Sequence, residues 1–132
     1  MNFKKSIPAI LIIYTGLLII ASILPAFGAL NKKKIELIFE LRFDYILHFM
    51  AYLGLYILLV ISKKTSKKSV SKLSSLKLVF LAVLLALATE TAQLFIPYRT
   101  FNPVDLAANL LGILAGVVVY YFFNKKILQE EA

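Results

Sequence analysis

The sequence predicts an all-α protein, a four-helix transmembrane bundle with both termini on the same side of the membrane. Three observations predict it. Of 132 residues, 61% are hydrophobic and only 17% charged, and mean hydropathy is +0.85, whereas soluble domains run nearer half apolar and a quarter charged. A chain this short leaves much of its surface exposed, so water is the wrong solvent for it. The apolar residues also fall into four stretches, each long enough to cross a hydrocarbon core that needs about 20 residues per helix. Finally, the basic residues gather between and beyond these stretches. The whole chain, 1–132, is read as one membrane domain.

The first stretch, 7–30, carries no charge. Lys4 and Lys5 precede it and Ala26-Phe27-Gly28 resembles a cleavage site. The apolar run exceeds the roughly 7–15 residues of a signal-peptide core, so a retained anchor is expected. The second stretch, 45–62, has His48 as its one group titrating near neutrality. The third, 78–97, contains Glu90, and the fourth, 104–123, contains Asp105. Helices suit all four, because inside lipid every backbone N–H and C=O must be paired within the protein. Long apolar runs do not match the short alternating strands of a membrane barrel.

Orientation follows from lysine. The link between the second and third spans holds Lys63, Lys64, Lys67, Lys68, Lys72 and Lys77 with no acid. Lys4 and Lys5 open the chain, and Lys125 and Lys126 follow the last span. That places ten basic residues on one side against Lys32, Lys33, Lys34, Arg42 and Arg99 on the other. By the positive-inside rule the chain is a multi-pass protein of the cell membrane with both termini cytoplasmic. The net charge of +8 is then an orientation signal and an attraction to anionic lipid. No nucleic-acid partner is expected, since no recognition motif accompanies these lysines. The link from Asn31 to Phe43 reads equally as an interfacial helix, with Lys32, Lys33, Glu36 and Glu40 on one side, or as a solvated loop.

The informative residues are the polar ones inside apolar spans. Asp44 and His48 lie four apart, Glu90 and Gln93 three apart, and Asp105 and Asn109 four apart. Residues at these spacings share a helix face. All six, with Arg99 in the short link between the last two spans, fall at one depth near the outer leaflet. Meeting one another is the simplest way for them to avoid lipid. A charge near the membrane centre costs about 2.5–3.5 kcal/mol on insertion scales. Glu90, about two turns inside Pro97, therefore needs His48, Arg99 or a proton opposite it. One histidine among three acids gives no recognisable metal pattern; with no cysteine in the chain, thiolate sites are absent too, and neither metal nor cofactor is expected.

Each residue also has a plainer role. Asp44 and Asp105 suit the first turn of a helix, Arg99 an interfacial anchor, Gln93 and Asn109 interhelical hydrogen bonds. Several tyrosines read as interfacial aromatics, and Tyr52, one turn from His48, reads first as core packing. On the fourth span Asp105, Asn109, Gly112 and Gly116 fall within about 40° of one line at 100° per residue. The two glycines allow a close helix approach, either within the bundle, which would draw Asp105 and Asn109 inward, or in a homo-oligomer.

Taken together these pieces resemble the VanZ-like family of small integral membrane proteins. The matching segments are Asp44-Tyr-Ile-Leu-His48-Phe-Met-Ala-Tyr52, Glu90-Thr-Ala-Gln93, Arg99 with Asp105 six residues on, and Asp105-Leu-Ala-Ala-Asn109-Leu-Leu-Gly112. The family commonly carries lysine after the first aspartate, where this chain has Tyr45. The resemblance implies a cell-envelope role, and the family's namesake is associated with low-level resistance to the lipoglycopeptide teicoplanin. The expected function is a membrane protein whose polar site engages a lipid-linked or envelope-precursor headgroup at its outer face. Two alternatives stand beside it: an intramembrane enzyme using His48 and Glu90 on a lipid phosphate or ester, and a structural subunit whose polar residues lock helices. Ion coupling ranks lower, since no broken-helix repeat is visible.

Overall fold

The computed structural model describes residues 3–23, 36–65, 72–97 and 101–130, with side chains placed for 6–23, 44–65, 74–97 and 101–123. These form four helices: α1 (Phe3–Ile23), α2 (Glu36–Thr65), α3 (Lys72–Gln93) and α4 (Pro103–Glu130). No strand occurs among the described residues. Each helix contains a segment long and apolar enough to cross a membrane: Ser6–Ile23, Asp44–Thr65, Ser74–Gln93 and Pro103–Phe123. These segments overlap the four apolar stretches of the sequence; the end of the first stretch, 24–30, lies outside the described residues. The possible cleavage site at residues 26–28 lies outside the described residues.

One boundary differs in kind. From Glu36 onward, the link expected as a surface helix or a loop is the beginning of α2 itself, continuous with the span. Thirty residues at 1.5 Å each give about 45 Å, against about 30 Å of hydrocarbon. The first two turns of α2 therefore extend past the apolar slab.

Local chemistry sets the helix ends nearest the polar residues. Asn102 caps α4: its side-chain Oδ1 accepts from the Val104 N–H at 3.0 Å, and its carbonyl accepts from the Leu106 N–H at 3.2 Å. Pro103 takes the first helical position, where a missing N–H costs nothing, and Asp105 falls in the first turn, on the favourable end of the helix dipole. α3 ends by tightening: Leu94, Phe95 and Ile96 donate to Thr91, Ala92 and Gln93, each at 3.1 Å. This i→i+3 pattern satisfies the terminal carbonyls, and Pro97 follows it.

α2 is the central element, packed against α1, α3 and α4, while among the described residues the α1 and α4 backbones do not approach each other closely. The buried core is Tyr52, Leu55, Tyr56, Leu59 and Val60 of α2 with Ala82 and Ala86 of α3 and Ile113 of α4. Tyr14 ties α1 on, donating to the Ala51 carbonyl at 2.8 Å. At the far end of α2, Tyr56 and Ser75 hydroxyls meet at 3.0 Å, and the Lys64 ammonium stands 5.2 Å from the Tyr120 ring centroid, a cation–π contact. The outer surface is the reverse of a soluble protein's. Ile12, Phe80, Leu114 and Phe122 are more than half exposed, while Glu90, Gln93, Asp105 and Asn109 are buried. An apolar shell this continuous is what a bilayer solvates.

The α2–α4 contact is the tightest, and the two glycines of α4 make it so. A Cβ at Gly112 would run into the Phe49 carbonyl oxygen and stand 3.0 Å from the Leu53 nitrogen; one at Gly116 would stand 2.9 Å from the Tyr56 ring. The Gly-x-x-x-Gly pattern is thus used inside the chain. Gly112→Ala must push two backbones apart, at a cost of about 1–3 kcal/mol or more. Gly16→Ala is the control, because nothing lies within 4 Å of its added Cβ and alanine is the better helix former. Thermal unfolding in detergent should show a clear fall in midpoint for Gly112→Ala and none for Gly16→Ala.

Candidate functional site

Three helix faces converge at the end of the bundle where α3 stops and α4 begins. Asp44, His48 and Tyr52 follow one another at four-residue spacing along α2. Thr89, Glu90 and Gln93 lie in the last turn and a half of α3. Asp105 and Asn109 occupy the first two turns of α4. Glu90 and Asn109 have no exposed surface at all. His48 and Asp44 form the open side, with side chains 15% and 37% exposed.

Asn109 is the bridge. Its Nδ2 donates to Glu90 Oε1 at 3.1 Å, which turns its carbonyl oxygen toward His48 Nδ1 at 3.0 Å. A carbonyl oxygen only accepts, so Nδ1 carries the hydrogen and donates it. Glu90 Oε1 itself lies 3.8 Å from the same Nδ1, close enough for charge attraction and too far for a hydrogen bond. The other ring nitrogen, Nε2, faces Asp44 Oδ1 at 3.8 Å. Asp105 completes this side: one ligand-capable atom each from Asp44, His48 and Asp105 lies within 4.8 Å of the others. No metal pattern was legible in the spacing along the chain, but the fold brings these three atoms together across α2 and α4.

The other expected residues separate. Gln93 is buried at the same depth, but its Nε2 donates to the Ser22 carbonyl at 3.3 Å. That carbonyl belongs to the last turn of α1, whose carbonyls lack helical partners, so Gln93 holds α1 to α3 and does not join the imidazole. Ser22 turns its own hydroxyl to the Ile19 carbonyl at 2.8 Å. Arg99 lies outside the described residues. Gly112 and Gly116 set the helix spacing beneath the cluster.

Thr89 was not singled out by the sequence, and Tyr52 was read first as packing. Tyr52 is indeed part of the core, and its hydroxyl also meets Thr89 Oγ1 at 2.7 Å. Thr89 donates its one hydroxyl hydrogen to the Ala86 and Leu85 carbonyls at 3.0 and 3.1 Å, so Tyr52 is the donor of the pair. The available signal was modest: a threonine beside Glu90 on an otherwise apolar helix. An apolar cleft of about 360 Å³ among α1, α2 and α3, lined by Thr15, Leu55, Leu59, Leu81 and Leu85 among others, includes none of the polar cluster.

The bridge is a physical prediction. Asn109→Leu takes the hydrogen-bond partner from His48 and one donor from Glu90, at about 3 kcal/mol for hydrogen bonds that involve a charged group. Gln93→Leu removes one neutral bond to α1, at about 1 kcal/mol. Detergent unfolding should rank Asn109→Leu well below Gln93→Leu, with Gln93→Leu close to wild type.

Neither the curated proteins nor the solved structures hold a significant match to this chain. The VanZ/LLP1 family model, in contrast, matches residues 9–124, most of the chain, with Asp44, His48, Glu90, Asp105 and Asn109 all inside it. By that match, and with four helices able to span a membrane, the chain belongs to the VanZ/LLP1 family.

Proposed function

We propose that this VanZ-family protein sits in the cell membrane with both termini in the cytoplasm, and that its polar cluster engages an anionic, lipid-linked headgroup at the outer face. The observation that carries the reading is the His48–Asn109–Glu90 chain, buried at one end and open at the other through His48 and Asp44. Lys63 and Lys64 stand in the last turn of α2, at the end opposite His48. The basic link that follows them supports a cytoplasmic placing of that end, and so an outward-facing cluster.

The chemistry suits a phosphate-bearing headgroup. Arg99, in the sequence between α3 and α4, supplies a guanidinium able to bind phosphate through two parallel N–H groups. A protonated His48 adds a second positive donor at the open side. Asp44, Glu90 and Asp105 balance these cations, and Asn109 fixes the imidazole's orientation. The family's namesake is associated with teicoplanin resistance, so an envelope precursor carried on a lipid is the ligand class that fits both the site and the family.

Binding is tested with purified protein in nanodiscs, titrated with a fluorescent lipid-linked pyrophosphate. Arg99→Ala should bind at least about tenfold more weakly, the loss of one charge-assisted contact of 1.4 kcal/mol or more. Equal affinity in wild type and Arg99→Ala removes the headgroup reading.

The fixed Nδ1–H of His48 favours a second reading, an intramembrane enzyme in which Nε2 serves as general base on a lipid phosphate or ester. Release of labelled phosphate from envelope lipids would then disappear in His48→Ala and fall in Glu90→Gln. Turnover that survives both substitutions rejects it.

A further inference from the structure

We propose that Asp44, His48 and Asp105 form a binding site for one divalent transition-metal ion of the Zn²⁺ class. The site stands on its own geometry and does not depend on the headgroup reading.

The three side chains come from two helices. Asp44 and His48 share a face of α2, and Asp105 projects from the first turn of α4. Each offers one ligand atom, and all three atoms lie within 4.8 Å of one another. Around a Zn²⁺ ion with bonds of about 2.0–2.2 Å, tetrahedral ligand atoms stand about 3.3–3.6 Å apart. The 3.8 Å between His48 Nε2 and Asp44 Oδ1 is near such an edge and too long for an N–H···O hydrogen bond. Bringing all three atoms onto one ion requires side-chain rotation, for which the partly exposed Asp44 has room.

The hydrogen-bond chain behind the imidazole is the second observation, independent of the first. Nδ1 donates to Asn109, and Asn109 in turn donates to the buried Glu90. In the neutral ring that leaves the lone pair on Nε2, which faces Asp44 Oδ1 at 3.8 Å. Metal-binding histidines are held in the same manner, the far ring nitrogen donating to an acceptor that fixes tautomer and angle. A bare lone pair opposite carboxylate oxygens is electrostatically unfavourable until a positive centre sits between them. One nitrogen and two carboxylates suit a borderline ion such as Zn²⁺ better than Ca²⁺ or Mg²⁺, which favour all-oxygen shells. The backbones that carry the ligands are held at fixed spacing by the Gly112 contact with Phe49 and Leu53. The exposed edges of Asp44 and His48 give the ion a way in and leave a coordination position open.

The test uses tag-free, full-length protein in detergent, stripped with a chelator and titrated with Zn²⁺ alone by calorimetry and by equilibrium dialysis with elemental analysis. The expected result is one saturable Zn²⁺ per chain and an unfolding midpoint that rises with free Zn²⁺. Asp44→Asn, at a half-exposed position, should keep the metal-free midpoint and lose affinity by about tenfold or more, because removing even an outer-shell partner costs 10–100-fold. His48→Gln should abolish the site. Asn109→Asp, which retains an acceptor for Nδ1, should bind, whereas Asn109→Leu should bind more weakly. Absence of saturable binding in the wild type overturns the proposal. So does Zn²⁺ binding undiminished in Asp44→Asn, and so does displacement of Zn²⁺ by a tenfold excess of Ca²⁺ or Mg²⁺. Should His48→Gln not fold, Asp44→Asn decides.

Discussion

The Phe49 carbonyl oxygen occupies the place where a side chain at position 112 would begin. Because residue 112 is glycine, α4 can lie against the backbone of α2. One turn along α4 from that contact is Asn109, and next to Phe49 on α2 is His48. An asparagine side chain is short, and it reaches His48 Nδ1 at 3.0 Å only because the two backbones are already in contact. Glu90, arriving from α3, is then held by the amide's other end. The geometry of the polar cluster therefore follows from a missing methyl group one turn away, and the same contact sets the separation of Asp105 from Asp44 and His48.

Packing alone does not account for the cluster. An interhelical hydrogen bond in a membrane is worth about 0.6 kcal/mol on average, while a charged residue at the centre of a span costs about 2.5–3.5 kcal/mol on insertion scales. Replacing buried ionic groups by well-fitted apolar ones is often neutral or stabilising. The Tyr52–Thr89 and Gln93–Ser22 bonds already join α2 to α3 and α3 to α1 with uncharged groups. Glu90, His48, Asp44 and Asp105 add ionisable groups beyond these neutral contacts, which is the physical ground for treating them as a candidate site.

Much of this was legible along the chain, for identifiable reasons. Apolar runs of membrane length define the spans because lipid allows few other structures. Spacings of three and four put Asp44 with His48 and Asp105 with Asn109 on single faces, and a shared depth forces those faces together. What stayed hidden depended on distances between helices. Gln93 shares a face with Glu90, yet it turns to α1, because the last carbonyls of α1 end beside it; nothing in the sequence gives that relative height. Residues 36–43 carry an irregular mixture of apolar and charged side chains, which suits helix, loop or surface segment alike. Continuity of the α2 backbone hydrogen bonds, not side-chain pattern, makes them helix. The approach of Asp44 to Asp105 was equally invisible, since it rests on how deeply α4 sinks against α2.

The cluster has two halves with different demands. The buried half, Glu90 and Asn109, is closed by its own hydrogen bonds and fixes the imidazole. The open half presents Asp44 and His48, with Asp105 buried close behind them. An anionic headgroup approaching that edge meets carboxylates first, and at about 4 Å two like charges repel by roughly 4 kcal/mol at an effective dielectric constant of 20. On the proposed headgroup reading a positive centre would have to intervene, supplied by the Arg99 guanidinium, a proton on His48, or a metal ion between the aspartates. These are chemically distinct states of one site. On the readings proposed here, the cation at that place would decide whether His48 serves as an acid, a base or a ligand.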